Sequence, residues 1–273
     1  MKLLWQASLL SGLVFSAAAS AQVDPSVGGT VSQQAFGSRY ALNSANPANL
    51  LVVADPAGSG RSVLKTTVKD AQSAVDGIKR TDFYPLNEAS ASGLRWYAIS
   101  VYIPSDWTVH PYPAVVAQMD TSTSATNLAA PLSLLVRGST LELNLNSNYR
   151  GTSGADVATA ANSAAEVLKL GPLVTSKWYC LVIRSDWSPS LGRGAITMWM
   201  NGEKVYNANN STNSYFGAAH VPRAGLMFPG LMGVTERSVY TDFIRMGGVN
   251  TTVLNMYAVT PCAAFVTGPT IQW

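Results

Sequence analysis

Residues 115–120 read VVAQMD. Gln118 and Asp120 are an amide and a carboxylate two positions apart. Side chains alternate along a strand, so Val116, Gln118 and Asp120 share one face. Val115, Ala117 and Met119 share the other, which suits a core. TLELNLN (Thr140–Asn146) alternates in the same way, with Leu141, Leu143 and Leu145 on one side and Thr140, Glu142, Asn144 and Asn146 on the other. AITMWMN sets Ile196, Met198 and Met200 against Thr197, Trp199 and Asn201. Sugars present hydroxyl edges and apolar ring faces, so amides, carboxylates and an indole together make a saccharide platform. A plain solvated sheet face accounts for each polar residue singly. It accounts less well for Trp199, because exposing an indole costs apolar hydration.

The elements that would position these groups are strands. LLVVAD, SVLKTTVK, RWYAISVYIP, AVVAQMD, LSLLVRG, TLELNLN, WYCLVIRSDW, AITMWMNGEKVYN and SVYTDFIRMGG follow one another between turn-forming stretches. Asn201–Gly202 is the strongest hairpin signal. Strands half apolar and half polar belong to antiparallel sheets with one solvated face. The expected fold is all-β: a jelly-roll sandwich of two antiparallel sheets with a groove on the polar face. Ala155–Leu170 reads as a short helix or an Ala-rich loop. No internal repeat or linker divides the chain, so residues 22–273 are expected to form one domain.

Charged residues make up only 12% of the 273, about half the usual share. The formal charge of +3 is too small to point to nucleic acid. Lys2, the apolar stretch after it and Ala19–Ala21 read as a signal peptide over residues 1–21, with an uncleaved anchor as the alternative. No later stretch is apolar enough to span a bilayer. The mature protein is therefore expected to be secreted or periplasmic, with no membrane partner. Cys180 and Cys262 permit one disulfide or two buried thiols. Only two His occur, and neither lies at ligand spacing to a Cys, so neither a metal site nor a cofactor is expected.

No phosphate-binding glycine loop or G-x-S-x-G elbow is present. Glu142 and Asp120 would serve a glycoside hydrolase if they faced each other across a sugar.

KRTDF (Lys79–Phe83), LRWYAISVYIPSDW (Leu94–Trp107), VVAQMD, PLSLLVRGSTLEL (Pro131–Leu143), KWYCLVIRSDWSPSLGRGAITMWMNGEKVYN (Lys177–Asn207), PRAGLMF (Pro222–Phe228) and VYTDFIRMGG (Val239–Gly248) follow in this order. Together they resemble the secreted polysaccharide lyases with a concanavalin A-like jelly roll, of the heparin lyase I and glucuronan lyase kind. The resemblance covers roughly Ser62 to Gly248. It implies β-elimination on an acidic, uronate-containing polysaccharide. Such a reaction needs a group that neutralises the uronate carboxylate, a base for the C5 proton and an acid for the leaving oxygen.

By that resemblance, Arg80 is a carboxylate clamp on an Arg-x-acid strand, Gln118 is a neutraliser, and Arg223 belongs to a basic-x-Gly segment. Two positions depart from the family pattern. Asp120 stands where a His is expected, and Val221 and Pro222 stand where a Tyr is expected. His220 and Tyr215 are the nearest replacements for the proton-transfer roles. Asp120, Glu142, Asn144, Asn146 and Trp199 are candidate substrate contacts, as is Arg137, which either binds a uronate or caps a strand end. The rival is a non-catalytic glycan-binding module, which the two departures favour.

Overall fold

The computed structural model describes residues 39–86, 93–121, 128–149, 151, 159 and 161–266. The signal peptide expected over residues 1–21 lies outside them. Fifteen strands are described: β1 (Tyr40–Ser44), β2 (Leu50–Ala54), β3 (Ser62–Lys69), β4 (Lys79–Pro85), β5 (Leu94–Ile103), β6 (Ala114–Thr121), β7 (Leu132–Arg137), β8 (Thr140–Asn148), β9 (Ser163–Pro172), β10 (Lys177–Asp186), β11 (Gly194–Met200), β12 (Glu203–Ser211), β13 (His220–Phe228), β14 (Glu236–Thr241) and β15 (Arg245–Gly247). One short α-helix among the described residues, α1 (Val253–Ala258), follows. It opens on a capping box, in which Thr252 and Asn255 satisfy each other's backbone N–H groups.

The strands form two sheets. The seven-stranded sheet has the order β1-β4-β13-β6-β7-β8-β9. The eight-stranded sheet runs β12-β11-β10-β5-β14-β3-β2, with β15 also on β5. Neighbouring strands pair antiparallel, as in β6–β7 and β10–β5. This is the expected jelly-roll sandwich. Phe83, Met119, Leu134, Leu143 and Leu226 of the first sheet meet Leu64, Ile99, Leu181, Ile183 and Met198 of the second in one buried layer. Asn201 and Gly202 both take positive φ, 52° and 90°, at the β11–β12 hairpin, as a tight primed turn requires.

Two expectations are corrected. Residues 163–170, read as part of a helix or loop, belong to the edge strand β9, because a ladder along β8 gives their backbone its partners. The rest of that segment falls mostly outside the described residues. The second correction concerns Trp199. Its strand lies in the eight-stranded sheet, and the part of the outer face that it occupies is covered by the C-terminal segment. Trp96, Trp178, Cys180 and Trp199 pack there with Val253, Met256 and Tyr257 of α1. Trp199 is 6% exposed and stacks on Trp96 with ring centroids 5.7 Å apart. It is part of the packing between the sheet and the C-terminal segment, not a sugar platform.

Cys180 and Cys262 are disulfide-bonded, 82 residues apart in sequence. The bond anchors the C-terminal segment to the centre of β10, where Tyr257 Oη also donates to the Cys180 carbonyl. Closing a loop of this length removes about 4 kcal/mol of denatured-state entropy in the chain model. Cys262→Ser is expected to lower the melting temperature by roughly 10 °C in calorimetry, with the folded β-sheet signal unchanged below the transition.

Candidate active site

The outer face of the seven-stranded sheet carries most of the polar residues singled out in the sequence. Leu141 and Leu143 of β8 join the core, so Glu142, Asn144 and Asn146 point outward. On β6 the simple alternation breaks. Val116 and Ala117 are both in the core layer, because a bulge lies between Val115 and Ala117. Val116 therefore faces inward, contrary to the sequence expectation, while Gln118 and Asp120 remain outward. Strand register then aligns Arg223 with Gln118, Gln118 with Ser133, and Ser133 with Asn144. This polar row crosses four strands and spans roughly 14 Å at the usual inter-strand spacing.

At one end of the row is a cluster of four charges. Asp82 is fully buried. Arg80 grips it with two parallel bonds, Nε to Oδ1 and Nη2 to Oδ2 at 2.9 Å. Arg223 Nη1 donates to the same Oδ2 at 3.3 Å. On its other side, Arg223 Nε lies 2.8 Å from Asp120 Oδ2. That contact is a charge pair and not an aligned hydrogen bond, since the Nε proton is not directed at the oxygen. The Arg223 guanidinium also sits over the Tyr84 ring, 4.3 Å from its centroid, a cation–π arrangement. Burial works against the Arg80 charge, but the hydrogen bond and charge of Asp82, with Asp120 and Asp76 adding, outweigh it. The Arg80 pKa is raised.

Gly225 makes this cluster possible. It pairs with Asp82 across β13 and β4 at φ 128°. A Cβ at this position would sit 2.4 Å from the Thr81 carbonyl oxygen and 2.7 Å from Asp82 Cα. The close strand approach brings the Asp82 carboxylate within reach of Arg223, two residues earlier on β13.

Several expected roles do not survive the geometry. Arg80 is 5% exposed and committed to Asp82, so it positions the cluster instead of clamping substrate. His220 faces the core, because it shares the inward face of β13 with Ala224. It is fully buried, stacked on Trp187 at 4.2 Å, with Nε2 2.7 Å from Ser214 Oγ. Tyr215 is 3% exposed. Its hydroxyl donates to the Ala129 carbonyl, and burial pushes its pKa up to about 12. Neither residue can exchange protons with a ligand on the outer face. Arg137 Nε donates to Glu142 Oε2 at 3.1 Å, which ties Arg137 to its neighbouring strand while its side chain stays half exposed. Asn146 is tied through Nδ2 to the Ala130 carbonyl, whereas Asn144 Oδ1 has no partner among the described residues.

The hydrolase alternative also fails here. β7 separates β6 from β8. Met119 is level with Leu132 and Leu145, so Asp120 is level with Asn146, four residues from Glu142. The two carboxylates are about 16 Å apart by strand geometry, beyond the separation a pair of glycosidase carboxylates tolerates.

The sequence profile described as polysaccharide lyase matches residues 27–245. The chain belongs to the polysaccharide lyase family. Its fold is similar to that of an endo-β-1,4-glucuronan lyase from the fungus Trichoderma reesei, with a TM-score of 0.60 and 15% identity over 77% of this chain and 90% of that one. It is also similar to a family 7 alginate lyase, A1-II′, in complex with substrate (GGMG), with a TM-score of 0.52 and 10% identity over 76% and 84% of the two chains. At these identities the likeness is one of fold. No curated protein sequence matches the chain. Asp120 and Val221, the positions expected to depart from the family pattern, are directly paired across β6 and β13, so they meet at one spot on the outer face.

Tyr84 was not singled out in the sequence. The signal was available, since Arg80, Asp82 and Tyr84 alternate outward on β4 just as Gln118 and Asp120 do on β6.

Removing the shared carboxylate strands a buried Arg80. Asp82→Ala is expected to cost about 3–5 kcal/mol of stability, measured by denaturant unfolding. Tyr215→Phe deletes one neutral hydrogen bond, worth about 1 kcal/mol, and is expected to leave turnover within about twofold of the parent.

Proposed function

We propose that this polysaccharide lyase cleaves a uronate-containing glycan by β-elimination on the outer face of the seven-stranded sheet. The observation that carries the reading is Arg223. It is pinned between Asp82 and Asp120, backed by the Tyr84 ring, and level with Gln118 on the next strand. Asp82 takes Nη1 and the Asp120 charge lies against Nε, and the guanidinium has a further nitrogen with two N–H donors. That nitrogen and the Gln118 amide would hold a uronate carboxylate.

Donors preorganised around that carboxylate stabilise the charge that spreads into it as the C5 proton leaves. The C5–H and C4–O bonds break, a C4–C5 double bond forms, and the departing oxygen takes up a proton. Asp120 accepts from the Thr121 amide at 2.9 Å and neighbours Arg223, so its part is to hold the guanidinium. Tyr84, against Arg223 and partly exposed, supplies the phenol for proton transfer. Ser133 and Asn144 continue the row and would bind neighbouring sugar units.

Relatives named for action on glucuronan and alginate, both polyuronates, support this substrate class. No helix among the described residues is long and apolar enough to cross a membrane, and a secreted or periplasmic location suits a polymeric substrate. A glycan-binding module without activity is the second reading, favoured by the burial of His220 and Tyr215.

The test is ultraviolet detection of unsaturated uronate with glucuronan, alginate and heparin. One of them is expected to give product. Arg223→Ala and Gln118→Ala should each lower kcat by about 10²–10³-fold. Tyr84→Phe should lower kcat while leaving the binding constant for that polymer unchanged. Binding without product on any polyuronate would establish the non-catalytic module instead.

A further inference from the structure

A second site lies away from the charged cluster. β9 is an edge strand of one sheet and β12 an edge strand of the other, and between them opens a cavity of about 250 Å³. Tyr206 of β12 donates from its hydroxyl to Glu166 Oε2 of β9 at 3.0 Å, bridging the sheets, and both residues line the cavity. Ile196 contributes apolar surface to the lining. Tyr149, 55% exposed, contributes a second aromatic ring.

Polar groups in the lining fall into two sets. Some are already satisfied within the fold. Asn213 is bonded through both amide atoms to backbone groups, and Thr212 Oγ1 pairs with Ser147 Oγ at 3.1 Å. Ser211 is different. It is 8% exposed, lines the cavity, and its Oγ has no partner among the described residues. A buried hydroxyl left unpaired carries a desolvation penalty, which a hydroxyl-bearing ligand removes.

We propose that this cavity is a second glycan site that takes a neutral sugar unit. The two tyrosines border it with aromatic rings, and Ser211 and Glu166 offer acceptors to the hydroxyls of a pyranose. The charge sorts neutral sugars from uronates. The described residues that line the cavity include a carboxylate, Glu166, and no Lys, Arg or His. A uronate carboxylate would meet repulsion there, whereas on the outer face it meets Arg223. The site is read by binding alone and does not depend on the elimination reaction.

The experiment uses the full-length mature protein. Titrations with β-1,4-linked gluco-, manno- and xylo-pentaose, and with a uronate oligomer of the same length, would be followed by calorimetry and by amide NMR shifts. At least one neutral oligosaccharide is expected to bind and to shift signals of β9 and β12. Ser211→Ala should weaken that binding by about tenfold. Ala164→Trp, which fills the cavity from β9, should abolish it. Arg223→Ala should leave it unchanged. The proposal is overturned if no neutral oligosaccharide binds. It is equally overturned if binding survives both cavity variants, or if the uronate oligomer binds at the cavity as tightly as the neutral ones. Ser211→Ala removes one small atom, so a folding defect in Ala164→Trp would not decide the outcome.

Discussion

The outer face depends on one buried carboxylate. Asp82 has no exposure to water, and its charge is tolerable because two guanidinium groups share it. An isolated ion in such a place would be strongly disfavoured. Arg80 has the buried side of that arrangement and Arg223 the side toward solvent. The difference assigns their parts: Arg80 holds the carboxylate, and the carboxylate holds Arg223. Gly225 belongs to the same unit, since only a residue without Cβ lets β13 approach β4 this closely. A motif that reads in the sequence as a basic residue followed by glycine is therefore one device in three dimensions.

The two sheets use their outer faces differently. The eight-stranded sheet covers the centre of its outer face with α1, a stack of indoles and the disulfide, so that region stabilises the sandwich. The seven-stranded sheet leaves part of its outer face to solvent, and there Gln118, Ser133 and Asn144 lie in register beside the charged cluster. Both faces come from strands with the same alternating pattern. What separates them is which sheet a strand joins and what later segment folds over it.

That difference explains where the sequence was legible. The leucines of TLELNLN could only be buried together, so Glu142, Asn144 and Asn146 had to point outward. Gln118 and Asp120 were legible for the same reason. Trp199 followed an identical local rule and failed, because the rule gives a face and not what covers it. His220 and Tyr215 failed through parity and packing. They lie close in sequence to Arg223, but an odd spacing along β13 sends His220 to the opposite face, and Tyr215 is sealed by the chain around Ala129. Val116 was misread because a bulge adds a residue to one strand, and alternation alone does not reveal it.

The sequence by itself determined the all-β character, the hairpin at Asn201–Gly202 and the outward placement of Gln118 and Asp120 on β6 and of Glu142, Asn144 and Asn146 on β8. Each of these rests on local geometry: side-chain alternation, turn chemistry and the burial of apolar residues. Only the tertiary structure decided that Asp82 serves two arginines, that Glu142 and Asp120 lie too far apart to act as a pair, and that Tyr84 backs Arg223. Those facts depend on strand order and register between segments distant in the chain, and no local pattern carries that information.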